Sequence, residues 1–215
     1  MNTVTPYARF IVETDADITI VEGARRAAAD PAIQAWATEV SLATHGQFLI
    51  ASKLPIVHLR TIAWAKDILL ITLDVQRSDE GLLRLLIVDL PSDPDRSRAK
   101  IVNSAHALLA QLDATPDLIL GDFNLTQGSW QLQRFLPDYQ PAWSSTGAGW
   151  GGTWPRTVPI YRLDHVLEPP NRIVQSITTI DPGCGRHRAQ LIEVTEKTVA
   201  ARVVSTHGLP PAPSQ

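Results

Sequence analysis

A succession of short, uninterrupted apolar runs rich in β-branched residues constrains the fold of this chain more than any other feature. Residues 18–21, 48–51, 56–60, 67–75, 82–90 and 117–120 are too short for ordinary helices and read as strands, the first of them buried. Residues 67–75 and 82–90 form a strand pair joined by the polar turn 76–81. Helical spacing separates several of these runs. Thr5-Pro6 supplies an N-cap and a first helical residue, Tyr7, Phe10 and Ile11 follow at helical intervals, and residues 15–17 end the helix. Asp30-Pro31 opens a second helix with Ile33, Trp36, Ala37 and Val40 on one face. Asp93-Pro94 starts a long third helix whose inward face is Ile101, Ala105, Leu108 and Leu112. Residues 129–136 make a short helix, and 137–159, rich in Gly, Pro, Ser and Trp, read as a long ordered loop of the kind that usually serves function. Strands at 162–168, 173–180 and 190–196 close the chain. Strands spread through the sequence with helices between some of them imply a layered α and β architecture.

Composition narrows the possibilities. With 215 residues, 44% hydrophobic and 19% charged, the chain fits one globular domain, expected over 1–204, with a flexible tail at 205–215. The single cysteine, Cys184, excludes an internal disulfide and a multi-thiolate metal site. A net charge of −3 excludes nonspecific capture of nucleic acid by bulk charge. Any polyanion must be held locally, by a few arginines or by metal ions. No stretch is long and apolar enough to span a membrane, and the N-terminus lacks the basic and apolar regions of a signal peptide. The chain taken alone therefore reads as cytoplasmic; a true start further upstream would allow a membrane-tethered or extracytoplasmic protein. No obligate protein partner is inferred.

Acidic residues at strand ends carry the chemical signal. Glu22 closes one apolar run and Asp122 another. Carboxylates in such places suit a hard cation such as Mg2+, which takes one or two of them together with substrate phosphate; a solvated strand-end acid is the alternative. Asp122 and Asn124 fall on one side of an extended segment, beside Gly121, and also fit an Asp-x-Asn turn capping the next helix. Asp164 stands charged amid the apolar residues of 161–167, and His187 directly precedes a strand. A histidine oriented by a carboxylate can deprotonate water. Trp36 and Trp64 read as core residues, whereas Trp143, Trp150 and Trp154 either pin the long loop or stack on a ligand. Arg96, Arg98 and Arg156 are candidates for a local anion patch.

Together, Glu22, Gly121-Asp122-Phe123-Asn124, Thr153-Trp154-Pro155, Leu163-Asp164-His165 and His187 resemble, in order and spacing, the endonuclease/exonuclease/phosphatase superfamily with its deoxyribonuclease-like fold, and its bacterial members in particular. The resemblance runs from about Tyr7 to Glu193. It implies an α+β fold, a four-layer α/β/β/α sandwich of two packed mixed sheets, with a site at one edge that hydrolyses phosphodiesters or phosphomonoesters using Mg2+ or Mn2+. It further implies that Glu22 binds metal, Asp122 orients or deprotonates the attacking water, Asn124 stabilises phosphate, and Asp164 orients His187.

The chain departs from the family pattern in three places. The family's first strand, with its catalytic asparagine, is not seen ahead of the first helix, either because the true start lies further upstream or because the strand is missing, and Asn2 stands too close to that helix to replace it. Arg186 takes the place of an acid that helps bind metal, a change of two charge units at a site where one unit charge ~4 Å away is worth about 4 kcal/mol at an effective dielectric near 20. Asp89 stands where the family often has histidine and is a candidate replacement ligand. The expected function is therefore a metal-dependent phosphoesterase acting on a phosphodiester, either nucleic acid or a small molecule or lipid headgroup, with Arg186 and Trp154 contacting substrate. The alternative is a degenerate, non-catalytic member that binds a phosphorylated ligand or a protein, with Arg186 as anion receptor.

Overall fold

The computed structural model describes residues 5–65, 67–78, 81–171, 173–195 and 201–206. In chain order the elements are α1 (Pro6–Thr14), β1 (Ile18–Glu22), α2 (Pro31–Trp36), β2 (Ser41–His45), β3 (Phe48–Ser52), β4 (Ile56–Ala65), β5 (Ile68–Gln76), β6 (Leu82–Asp89), α3 (Arg98–Leu109), β7 (Leu118–Asp122), α4 (Trp130–Phe135), β8 (Gln140–Pro141), α5 (Trp143–Thr146), β9 (Asp164–Glu168), β10 (Val174–Ile180), β11 (Ala189–Val194) and β12 (Ala201–Thr206). The strands form two mixed six-stranded sheets, in the orders β10-β11-β12-β1-β3-β2 and β4-β5-β6-β7-β9-β8.

Period-two alternation sorts the apolar residues into three cores. Ile18 and Ile20 of β1, Leu85 and Ile87 of β6, Leu118 and Leu120 of β7, Ile192 of β11 and Val203 of β12 meet between the sheets. The opposite face of the first sheet, with Val21, Leu49 and Val204, is covered by Phe10 and Ile11 of α1 and Ile33 of α2. The opposite face of the second sheet, with Leu86, Val88 and Ile119, is covered by Ile101 and Ala105 of α3 and Leu132 and Phe135 of α4. The result is the four-layer α/β/β/α sandwich, and the central strands read as unbroken apolar runs because both of their faces are buried.

Local chemistry explains the helix ends. The Thr5 hydroxyl accepts from Ala8 N–H, and the buried Asp30 carboxylate accepts from Ala32 N–H at 2.9 Å and Thr5 N–H at 2.8 Å. One acid thus joins the starts of α1 and α2. Those hydrogen bonds hold the Asp30 carboxyl below its usual range. Asp15, in the left-handed region at φ 47°, ends α1.

The structure corrects several expected boundaries. Helix α2 ends at Trp36, and Ala37–Glu39 form a 3-10 turn, so Val40 is not on its face. The third helix starts at Arg98 rather than at Asp93-Pro94, because the Asp93 side chain accepts from Asp95 N–H at 2.9 Å and closes a local turn that competes with helix. Leu112 lies beyond the end of α3 yet packs on the same core. The long segment 137–159 contains β8 and α5. Strand β4 extends to Ala65. Strands β2 and β12 are additional. Strand β12 includes Ser205 and Thr206, two residues assigned above to a tail; the rest of that tail, Asn2 and Glu196 lie outside the described residues.

Strand β12 fills one edge of β1. It runs parallel to β1, with Ile18 opposite Val203 and Val21 opposite Thr206, and antiparallel to β11. The other edge of β1 pairs with β3. Both edges of β1 are therefore filled from later in the chain. No helix among the described residues is long and apolar enough to cross a membrane.

Candidate active site

The inter-sheet core turns from apolar to acidic at one end of the sandwich. In β6 the inward series Leu85, Ile87 ends in Asp89; in β7 the series Leu118, Leu120 ends in Asp122; β9 begins with Asp164 two residues before inward-facing Val166. Register places these acids on one rung, Asp89 opposite Asp122 across β6 and β7, and Asp122 opposite Asp164 across β7 and β9. From the facing sheet, β1 continues Ile18 and Ile20 into Glu22. The same period that fills the core thus delivers four carboxylates to one edge.

Gly121 makes the rung possible. Its φ is +138°, and a Cβ built there would stand 2.0 Å from the carbonyl oxygen of Val88 on β6. Asn124, at φ 48°, then turns back on Asp122. The Asp122 carboxylate accepts from Asn124 N–H at 2.8 Å and from its side-chain amide at 2.9 Å; that amide also donates to Leu90 O at 2.7 Å. The sequence assigned this amide to phosphate, whereas both of its hydrogens are held within the protein. In this geometry Asn124 fixes Asp122.

His187 and Asp164 meet. Nδ1 of His187 lies 2.8 Å from Asp164 Oδ2, and both groups are buried, His187 to 8% exposure. Asp122, Asp164 and His187 each bring one ligand atom within 4.8 Å of the others. Two residues without a role in the sequence reading hold this pair. Thr153 is fully buried; its hydroxyl accepts from the N–H groups of Leu163 and Asp164, and its carbonyl accepts from Arg188 N–H at 2.7 Å. Gln190 donates to the Asp164 carbonyl oxygen at 3.3 Å. Thr153 is visible in sequence only as part of Thr-Trp-Pro, and Gln190 carries no local signal.

A third residue, Gln47, sits at the tip of the β2–β3 hairpin, between the paired His45 and Phe48. Its side-chain amide donates to Glu22 Oε1 at 2.6 Å and to Asp89 Oδ2 at 2.9 Å. These two acids come from different sheets.

A cavity of about 830 Å3 opens over these groups. Glu22, Asp67, Asp89, Asp93 and Asp122 line it against Arg186 and His187, and Gln47, Asn124 and Trp154 complete the polar and aromatic wall. Arg186 is exposed, so water screens its charge from Glu22. Trp154 stacks on Tyr161 at 5.9 Å, and Trp143 lies under the Arg162 guanidinium at 4.4 Å, so these rings pin the long loop, and Trp154 also bounds the cavity. Trp150 is 73% exposed. Trp36 is half-buried against the helix-side core, and the Trp64 side chain lies outside the described residues. The three arginines proposed as an anion patch have partners within the protein: Arg96 bonds to the cavity-lining Asp67, Arg98 to the carbonyls of Pro91 and Asp93 on the cavity wall, and Arg156 to Asp181.

Beneath the site, His165 is fully buried against Phe123, and its Nε2–H donates to Leu125 O at 2.7 Å. Burial pushes its pKa down to about 4, against an opposing pull from that hydrogen bond and from Asp164. The folded state therefore excludes a proton that the unfolded chain binds below pH ~6.5. The His165 contribution is complete above pH ~6.5 and is lost as pH falls toward 4, for a total of about 3 kcal/mol. Urea unfolding at a series of pH values should show this slope, and His165→Gln should flatten it; equal slopes in both proteins would refute the assignment.

A model of the endonuclease/exonuclease/phosphatase family matches residues 7–209. Among curated proteins no sequence match to the chain is found. Solved structures share the fold. A functionally unknown conserved protein from Enterococcus faecalis V583 is 15% identical, with a TM-score of 0.64 over 88% of this chain and 90% of that one. Sphingomyelinase C from Streptomyces griseocarneus is 17% identical, with a TM-score of 0.60 over 93% and 87%. A beta toxin mutant from Staphylococcus aureus with bound magnesium ions is 13% identical, with a TM-score of 0.57 over 93% and 88%. With sandwich, acidic rung and family model in agreement, this chain belongs to the endonuclease/exonuclease/phosphatase family.

Proposed function

We propose that the chain hydrolyses a phosphodiester by attack of water, with the help of a divalent cation. The observation that carries this reading is the rung of Asp89, Asp122 and Asp164 beside the His187–Asp164 bond of 2.8 Å, with Asp89, Asp122 and His187 lining one cavity. Five carboxylates line that cavity, one of them, Asp67, paired with Arg96, and their field disfavours a phosphate unless further cations offset it. The donor set fits the cation. Glu22 and Asp89 offer two hard oxygens that converge on one small group, the Gln47 amide nitrogen, and carboxylates suit Mg2+ or Mn2+ better than imidazole does. Glu22 and Asp89 would hold the ion, which supplies charge neutralisation to the phosphoryl oxygens. The magnesium ions of the beta toxin structure agree with that choice.

The remaining chemistry falls to side chains. Asp164 orients the imidazole through Nδ1 and turns Nε2 away from itself, so His187 takes the proton of the attacking water. Asp122, fixed by Asn124, orients that water from the neighbouring strand. Arg186 and Trp154 on the cavity wall contact the substrate. The mild net acidity favours a small or lipid-headgroup phosphodiester over nucleic acid.

The test is turnover of bis(p-nitrophenyl) phosphate, sphingomyelin and DNA with Mg2+ or Mn2+. Cleavage that EDTA abolishes and that a Glu22→Ala, His187→Ala double variant lacks is the expected result. Turnover no higher than in that variant would refute the reading. Exposed Arg186 favours one other outcome, phosphate binding independent of metal and without turnover, which would mark a binding module instead.

A further inference from the structure

We propose that the Gln47 amide is a resident stand-in for the cation: it ties Glu22 to Asp89 while the site is metal-free and is displaced when a divalent ion binds. The inference rests on the metal-dependent reading above. An amide nitrogen has two hydrogens, and both are used here on carboxylates, at 2.6 Å and 2.9 Å. Glu22 closes β1 of one sheet and Asp89 closes β6 of the other. One nitrogen therefore sits where anionic oxygens from both sheets converge. A divalent ion would draw on the same two oxygens at a shorter distance, about 2.0–2.6 Å, so nitrogen and ion compete for one place.

The chemistry of the two occupants differs in a useful way. Two carboxylates brought together repel, and the N–H dipoles offset part of that repulsion, which keeps the pair aligned in the absence of metal. A divalent ion offsets all of it. Binding must first break two charge-assisted hydrogen bonds, so Gln47 preserves the geometry and at the same time lowers the affinity. The position of Gln47 suits this role, because a hairpin tip can move without disturbing a strand; the adjoining Gly46, at φ 59°, forms the other half of that two-residue turn.

The experiment titrates Mn2+ into the wild-type chain and into Gln47→Met, Gln47→Ala and Glu22→Gln. Free Mn2+ is read by electron paramagnetic resonance, and stability by thermal unfolding. The Met variant keeps the volume and removes both donors; the Ala variant serves if Met misfolds. Both are expected to bind Mn2+ roughly tenfold tighter than wild type, about 1.4 kcal/mol, with a lower melting temperature without metal and a larger Mn2+-induced rise. Affinity that is unchanged or weaker in the Gln47 variants, with binding lost in Glu22→Gln, would overturn the displacement and leave the metal site standing. Equal Mn2+ response in wild type and Glu22→Gln would overturn both the displacement and the metal-dependent reading. Mn2+ binding by the Gln47 variants when wild type shows none would support displacement in its strongest form.

Discussion

Replacing His187 with Ala is expected to lower phosphodiester turnover by about 10²–10⁴-fold, the range for losing a positioned general base. The imidazole is buried, bonded to Asp164 at 2.8 Å, and the only histidine lining the cavity among the described residues. Its removal also leaves the Asp164 carboxylate in a buried place without this partner, a loss of about 1–3 kcal/mol in stability. His187→Asn separates the two effects, since its amide can still donate toward Asp164 but cannot take a proton. The Asn variant should unfold near the wild-type temperature and remain inactive. Steady-state kinetics with Mn2+, read beside thermal melts, decide the matter; more than a tenth of wild-type turnover in either variant would remove His187 from the mechanism.

Gly121→Ala is expected to cost more than about 4 kcal/mol and to lower the melting temperature by about 10 °C or more. The added methyl would meet the backbone oxygen of Val88 at 2.0 Å, at a φ of +138° that L side chains rarely adopt. Relief requires β6 and β7 to part, and those strands end in Asp89 and Asp122. Activity should therefore fall even in the fraction that folds. Circular dichroism melts, with turnover normalised to folded protein, test both claims. A change below 1 kcal/mol would mean that the β6–β7 rung is looser than its register implies.

Much of this architecture was legible before any coordinates. The runs 67–75 and 82–90 announced β5 and β6, because strands buried on both faces over part of their length carry runs of consecutive apolar residues there. Glu22 and Asp122 could be named because each closes an apolar run, Asp164 because it stands charged amid one and His187 because it directly precedes one, and their spacing resembled a family that the model match bears out. Strand β2 was not legible, since its alternation is weak and it lies at a sheet edge. Strand β12 was not legible either: nothing local says that residues 201–206 slot between β1 and β11, more than 180 residues from one and adjacent in sequence to the other.

The amino-acid sequence by itself determined which residues could be buried, most of the strands they form, and which polar side chains stand at the ends of those strands, because alternation and punctuation are local properties of a chain. Only the tertiary structure decided that Asp89, Asp122 and Asp164 share a rung, that Asn124 spends its amide on Asp122, and that Gln47 reaches across both sheets to Glu22 and Asp89. Register and sheet packing bring together groups separated by 25 and 42 positions, and no pattern along the chain records such a meeting.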